Sequence, residues 1–100
     1  MQSVKIIECP RDAMQGIIEL IPTNKKIEYL NALLKVGFNT LDCGSFVSEK
    51  SIPQMADTKF IIPHLNLDET DTKLSVIVAN TRGAEEATEF DEITYIGYPF

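Results

Sequence analysis

Three short stretches of this 100-residue sequence carry side chains that could do chemistry: Pro10-Arg11-Asp12, Asp42-Cys43-Gly44-Ser45 and Asn80-Thr81-Arg82. Carboxylates transfer protons and bind hard cations, while a guanidinium holds a fixed positive charge against a developing oxyanion. Each stretch follows a β-rich run. In parallel α/β folds, ligands gather at the carboxyl ends of the strands. If the strands are parallel, the carboxylates, guanidinium groups and amide of these stretches converge on one rim.

Plainer explanations compete at each position. Asp and Arg side by side also cap turns or form surface pairs, so Arg11-Asp12 alone does not decide between a site and a solvated turn. Asp42 is harder to set aside. It is flanked by Leu41 and Cys43 in a strand expected to be covered on both faces, where an ionised side chain needs a partner or a functional role. His64, the only histidine, follows Pro63 at the end of a helix and is expected at the surface, opposite the rim. Cys9 and Cys43 are read as reduced, buried thiols. No Gly-rich phosphate loop, Cys-x-x-Cys pair or Ser-His-Asp constellation occurs.

The elements that would position these residues alternate. Val4 to Glu8 is a short strand ended by Cys9-Pro10, because proline offers no donor to a central ladder. From Asn24 to Val36 the apolar positions Ile27, Leu30, Leu33, Leu34 and Val36 recur at helical spacing, with Lys25, Lys26, Glu28 and Lys35 between them. Thr23 is the expected N-cap, and Gly37 the expected left-handed C-terminal residue. Phe38 to Cys43 reads as a second strand, Met55 to Ile62 as a weaker helix stopped by Pro63, and Lys73 to Ala79 as a third strand. Asn66 to Thr72 is a polar connector, Thr81 to Phe90 a short helix, and Glu92 to Tyr98 a fourth strand. The order β-α-β-α-β-α-β calls for parallel strands joined by right-handed crossovers, within a single unit spanning residues 1–100.

The totals exclude several classes. The formal net charge of -6 disfavours binding to nucleic acid or anionic lipid, both of which depend on Lys and Arg neutralising phosphate. No apolar run approaches the roughly 18 residues of a membrane span, and the start lacks the pattern of a secretory leader, so the expected compartment is the cytoplasm.

Two segments carry a family resemblance: Glu8-Cys-Pro-Arg-Asp-Ala-Met-Gln-Gly16 and Gly44-Ser-Phe-Val-Ser-Glu-Lys-Ser-Ile-Pro-Gln-Met55. They resemble the first two strand-loop segments of 3-hydroxy-3-methylglutaryl-CoA lyase, a metal-dependent barrel lyase related to the Claisen-type synthases. The likeness continues through Asn80-Thr-Arg-Gly83 to Ile96-Gly-Tyr-Pro-Phe100. Arg-Asp-x-x-Gln is shared with the synthases, whereas Ser-Phe-Val-Ser-x-Lys-x-x-Pro-Gln-Met is far more specific to the lyases. The resemblance implies the N-terminal half of a (β/α)₈ TIM barrel. The implied reaction cleaves an acyl-CoA to acetoacetate and acetyl-CoA, with Mg²⁺ or Mn²⁺ as cofactor. By the family pattern Asp12 is a metal ligand, Arg11 faces the thioester carbonyl, Asp42 assists proton transfer, and Gln15 and Ser45 contact substrate. Whether the parent enzyme is a homo-oligomer is left open.

The sequence departs from the family in two places. Ala13 and Met14 stand where glycine and leucine are usual, and alanine would be strained if that position needs a positive φ. Asp42 stands where a glutamate is usual, so proton transfer would need a closer substrate or a bridging water. A whole barrel needs roughly 250 residues, and the family's remaining ligands, a His-x-His pair and an Asn, together with its cysteine loop, are expected beyond Phe100. The chain alone is therefore expected to be an inactive fragment. Two alternatives accompany the lyase: a condensing synthase of the same superfamily, and a non-catalytic half barrel that pairs with itself.

Overall fold

The computed structural model describes residues 6–48 and 50–98. Its element order is β1 (Ile7–Glu8), α1 (Pro10–Gln15), α2 (Thr23–Leu34), β2 (Thr40–Phe46), α3 (Thr58–Ile61), β3 (Lys73–Val78), α4 (Thr81–Thr88) and β4 (Ile93–Gly97). Short 3₁₀ turns at Pro53–Met55 and Ile62–His64 flank α3. The four strands form one sheet in the order β1-β2-β3-β4, and every neighbouring pair is parallel. Four parallel strands in sequence order with helices between them are half of a (β/α)₈ barrel.

The core lies between the sheet and its helices. Leu41, Leu74, Val76 and Val78 of the strands meet Leu30 and Leu34 of α2, Ile61 and Ile62 at the end of α3, and Ala87 of α4. Along β3 the alternation is strict: Leu74, Val76 and Val78 are buried, while Ser75 and Ile77 on the other face are half-buried. All seven residues of β2 are buried, as expected for a strand covered on both sides. At the edges, Ile6 just before β1 and Ile7 within it, and Tyr95, Ile96 and Tyr98 on and beyond β4, remain exposed. An open half barrel leaves such residues without a neighbouring strand.

The structure redraws several sequence boundaries. The expected first strand is seen only at Ile7–Glu8, since residues 4 and 5 of that reading lie outside the described residues. Pro10–Gln15, read as a strand-to-helix loop, is a helix: Pro10 occupies its first turn, where a fixed φ and a missing N–H cost nothing. The long helix begins at Thr23 itself, so Thr23 is not its N-cap; its hydroxyl instead donates to Asp57 Oδ2 at 2.6 Å. Gly37 has φ 90° and takes the left-handed role expected of it. Lys26, assigned to the solvent face, is buried. The weaker helix is broken into the two 3₁₀ turns and α3, with Pro63 inside the last turn instead of after it.

The second strand runs to Phe46 and contains a bulge. Asp42 pairs with Ser75 and Gly44 with Val76, so Cys43 is the extra residue. Ser45 then pairs with Ile77, two positions beyond Ser75. Residues three apart on a regular strand point to opposite faces, but the bulge returns Asp42 and Ser45 to the same face.

Close approach of α4 to β2 depends on Gly83, where a Cβ would stand 2.2 Å from the Phe46 carbonyl oxygen. Backbone on both sides leaves little room to yield. Gly83→Ala is expected to destabilise the fold by about 1–3 kcal/mol through overpacking, seen as a lower urea midpoint. Gly16→Ala, with only a 3.9 Å contact, serves as the tolerated control.

Candidate active site

The short helix α1 begins directly after β1 and carries Arg11, Asp12 and Gln15. Positions i and i+4 share a helix face, and Arg11 Nη1 donates to Gln15 Oε1 at 3.0 Å. The rest of the guanidinium crosses to β2. Nε donates to Asp42 Oδ1 at 3.0 Å and Oδ2 at 2.9 Å, and Nη2 donates to Oδ2 at 2.8 Å. This is a forked, charge-assisted contact, shielded from water, with Arg11 16% and Asp42 8% exposed at the side chain. The hydrogen bond to Asp42 raises the Arg11 pKa above its ordinary value, against the opposing effect of burial.

Asp12, one residue along the helix, points elsewhere. Its side chain is 78% exposed, and its nearest cation is Arg11 Nη1 at 4.0 Å. Arg11, Asp42 and Gln15 are therefore hydrogen-bonded together, with Asp12 beside them as the unengaged carboxylate. Ser45 is buried on the same sheet face as Asp42 by register, and its Oγ is the only buried side-chain polar atom without a partner among the described residues. Such an orphan in an otherwise satisfied structure calls for a ligand or a water.

The expected convergence from the third strand does not occur. Asn80 accepts from the Gly83 N–H at 2.8 Å and caps α4, which uses its amide oxygen locally. Arg82 is 83% exposed and lies 3.4 Å from Glu86, one turn along the same helix. His64 is exposed, as expected. Ala13 lies inside α1, and no non-glycine residue among those described has a positive φ, so alanine is unstrained there. Asp42, although shorter than glutamate, reaches Arg11 fully.

Both cysteines are free, but only Cys43 is buried; Cys9 is exposed, contrary to expectation, because it leaves the sheet one residue after β1. Burial, then the charge of Asp42, pushes the Cys43 thiol up to about 12. Among the described residues, no group of three His, Cys, Asp or Glu side chains could hold a metal ion. Asp42 is engaged by Arg11, which leaves Asp12 as the one exposed carboxylate beside it. These residues do not by themselves form a metal site. No described helix is long and apolar enough to cross a membrane.

No protein-family model matches the chain. Individual proteins do. It is 37% identical over 86 residues to the mitochondrial hydroxymethylglutaryl-CoA lyase of Arabidopsis thaliana, covering 84% of this chain and 18% of that protein. The cytoplasmic 3-hydroxy-3-methylglutaryl-CoA lyase of Rattus norvegicus is 35% identical over 85 residues, covering 84% of this chain and 24% of the relative. Among solved structures, an HMG-CoA lyase from Acinetobacter baumannii, in complex with coenzyme A and 3-methylmalate, superposes with a TM-score of 0.88 at 29% identity. That match covers 98% of this chain and 33% of the other. The Bacillus subtilis HMG-CoA lyase gives 0.86 at 30% identity, over 95% of this chain and 32% of its own.

These relatives and structural neighbours are all hydroxymethylglutaryl-CoA lyases, and the chain matches a part of each. It spans about a fifth to a quarter of the length of these curated relatives and a third of the solved chains.

Two measurements probe the site. Asp42→Ala strands a shielded guanidinium and is expected to cost about 2–4 kcal/mol in urea unfolding, somewhat less than for a fully buried pair because Arg11 keeps some access to water. The double change Arg11→Met with Asp42→Leu should recover most of that loss. For the thiols, the unfolded chain releases the Cys43 proton near its ordinary value of 9.0 and the folded chain only near 12. Above pH 9 the unfolded state therefore binds fewer protons, and stability falls as pH rises. A thiol reagent at pH 8 should titrate Cys9 in the folded chain, and Cys43 only after unfolding.

Proposed function

We propose that this half barrel supplies the first part of the active site of a divalent-metal-dependent lyase that cleaves 3-hydroxy-3-methylglutaryl-CoA to acetoacetate and acetyl-CoA. The single observation that carries the reading is the Arg11 guanidinium held by Asp42 and Gln15 at the rim, in a chain similar to these lyases. Cleavage of the carbon-carbon bond leaves negative charge on the thioester oxygen. A preorganised cation there stabilises the developing enolate without reorganising. Arg11 fits that task because its direction is fixed before substrate arrives.

Each neighbour has a part. Gln15 uses its oxygen on Arg11, which leaves its amide N–H groups free to donate to substrate. An ionised carboxylate has about four lone-pair sites. Arg11 engages Asp42 through three contacts, only one of them at Oδ1, which leaves Oδ1 a site through which to assist proton transfer. Ser45 Oγ is free to hydrogen-bond a ligand. Asp12 would give one oxygen to a Mg²⁺ or Mn²⁺ ion, which would supply Lewis-acid activation of the substrate hydroxyl. Its other ligands are not among these residues. The acyl-CoA partner accords with the coenzyme A bound by the Acinetobacter baumannii relative. Two free cysteines suit a reducing compartment, and we assign the protein to the cytoplasm.

A chimera tests the proposal, with this chain replacing the matching third of the Bacillus subtilis enzyme. The chimera is expected to cleave the substrate with Mg²⁺, and the 100-residue chain alone is not. In the chimera, Arg11→Ala should lower kcat by about 10²–10³-fold, the scale of a lost oxyanion donor. Asp12→Ala should chiefly raise the metal concentration required. Near-normal kinetics in both variants would show these roles to be misassigned.

A further inference from the structure

Within Ser45 to Met55, the segment most specific to the lyases, Gln54 is buried and fully hydrogen-bonded. Oε1 accepts from the Ile21 N–H at 2.9 Å; Nε2 donates to the Ile17 carbonyl at 3.1 Å and to the Glu19 carbonyl at 2.8 Å. All three partners are backbone groups of one five-residue stretch, the one that leaves α1. We infer that Gln54 is a positioning residue: its carboxamide locks the 17–21 segment behind α1 and so fixes the direction of Arg11.

A helix of six residues cannot hold itself. Isolated helices shorter than about 12 residues are marginal in water, and α1 has no side-chain cap at its N-terminus. Tertiary contacts must therefore set its orientation. At the front, Pro10 is buried. At the back, the Ile17 N–H donates to the Met14 carbonyl at 3.0 Å while the Ile17 carbonyl is held by Gln54. Gln15, the partner of Arg11 Nη1, sits between Met14 and Ile17 and is carried by both. Gln54 is thus linked to Arg11 through fixed backbone, without touching it.

Gln54 is itself anchored. Its carbonyl oxygen accepts from the buried Lys26 Nζ, which also pairs with Asp57 Oδ1 at 2.8 Å. Asp57 takes the Thr23 hydroxyl on its other oxygen. A buried ammonium left unpaired is strongly destabilising, so Lys26 ties the Pro53–Met55 turn to the start of α2. The result is a polar clamp from α2 through the turn to the segment behind α1. An apolar residue of similar size at position 54 would fill the space but leave three backbone groups without partners.

That Arg11 faces substrate rests on the reading above; the clamp does not. The test therefore reads Arg11 directly, by amide exchange and by the Arg11 Nε–H resonance of the ¹⁵N-labelled 100-residue chain. Gln54→Met should speed exchange at the Ile21 amide by about tenfold or more relative to Leu74 and Val76, because local opening is no longer opposed. It should also shift and broaden the Arg11 Nε–H signal. Asn31→Ala removes a comparable pair of bonds, to the His64 carbonyl and the Asn66 N–H, at a different place. It should lower the urea midpoint similarly while leaving the Arg11 signal unmoved. If Gln54→Met does not fold, Gln54→Glu keeps the acceptor for Ile21, loses both donors, and should still perturb Arg11. An unmoved Arg11 signal in the Gln54 variant that folds, or an equal shift in Asn31→Ala, would reduce Gln54 to general support. Failure of the chimera to cleave substrate would instead remove the lyase reading and leave the clamp standing.

Discussion

Parallel pairing is the constraint from which the rest follows. Four strands that run in one direction can be joined only by crossovers, so each helix returns over the sheet and every strand ends at the same rim. That is what allows Arg11, which follows β1, to meet Asp42 on β2 although 31 residues separate them. An antiparallel hairpin arrangement would send alternate strand ends to opposite edges. The Arg11–Asp42 pair is in this sense a consequence of topology, and the pair in turn anchors α1 to the sheet.

Within that frame the bulge at Cys43 does two things. It keeps Asp42 and Ser45 on one face, and it passes Gly44 beside Thr58, where a Cβ would approach within 2.6 Å of that side chain. Strand and helix therefore close tightly at the point where the polar residues emerge. The shorter acid at position 42 loses nothing in reach toward Arg11, because α1 lies against β2 instead of across an open cavity. Charge at the mouth is divided: one carboxylate neutralises the guanidinium, and the other, Asp12, stays free in solvent.

The described residues contain one end of a site and one half of a fold. Asp12 alone could not hold a divalent ion, since such ions take six or more oxygens. The exposed Ile7 of β1 and Tyr95 and Ile96 of β4 mark edges at which a closed barrel would continue.

Much of this was legible in the sequence because it depends on local pattern. The helical spacing from Ile27 to Leu34, the β-rich run from Lys73 and the glycine at 37 fixed three elements, and their alternation implied parallel strands with Arg11, Asp12 and Asp42 at one rim. The motifs carried the resemblance. What the chain order could not reveal were contacts between distant segments. Lys26 looked like a solvent-facing lysine until Asp57 and the Gln54 carbonyl enclosed it, and Gln54 had no visible function until the 17–21 backbone came to rest on it. Asn80 looked like a site amide and is a helix cap, and the bulge that aligns Ser45 with Asp42 exists only through pairing with β3. Periodicity reports which face a residue prefers, because burial is averaged along the chain. Hydrogen bonds between segments thirty residues apart are decided only when packing brings a particular donor to a particular acceptor.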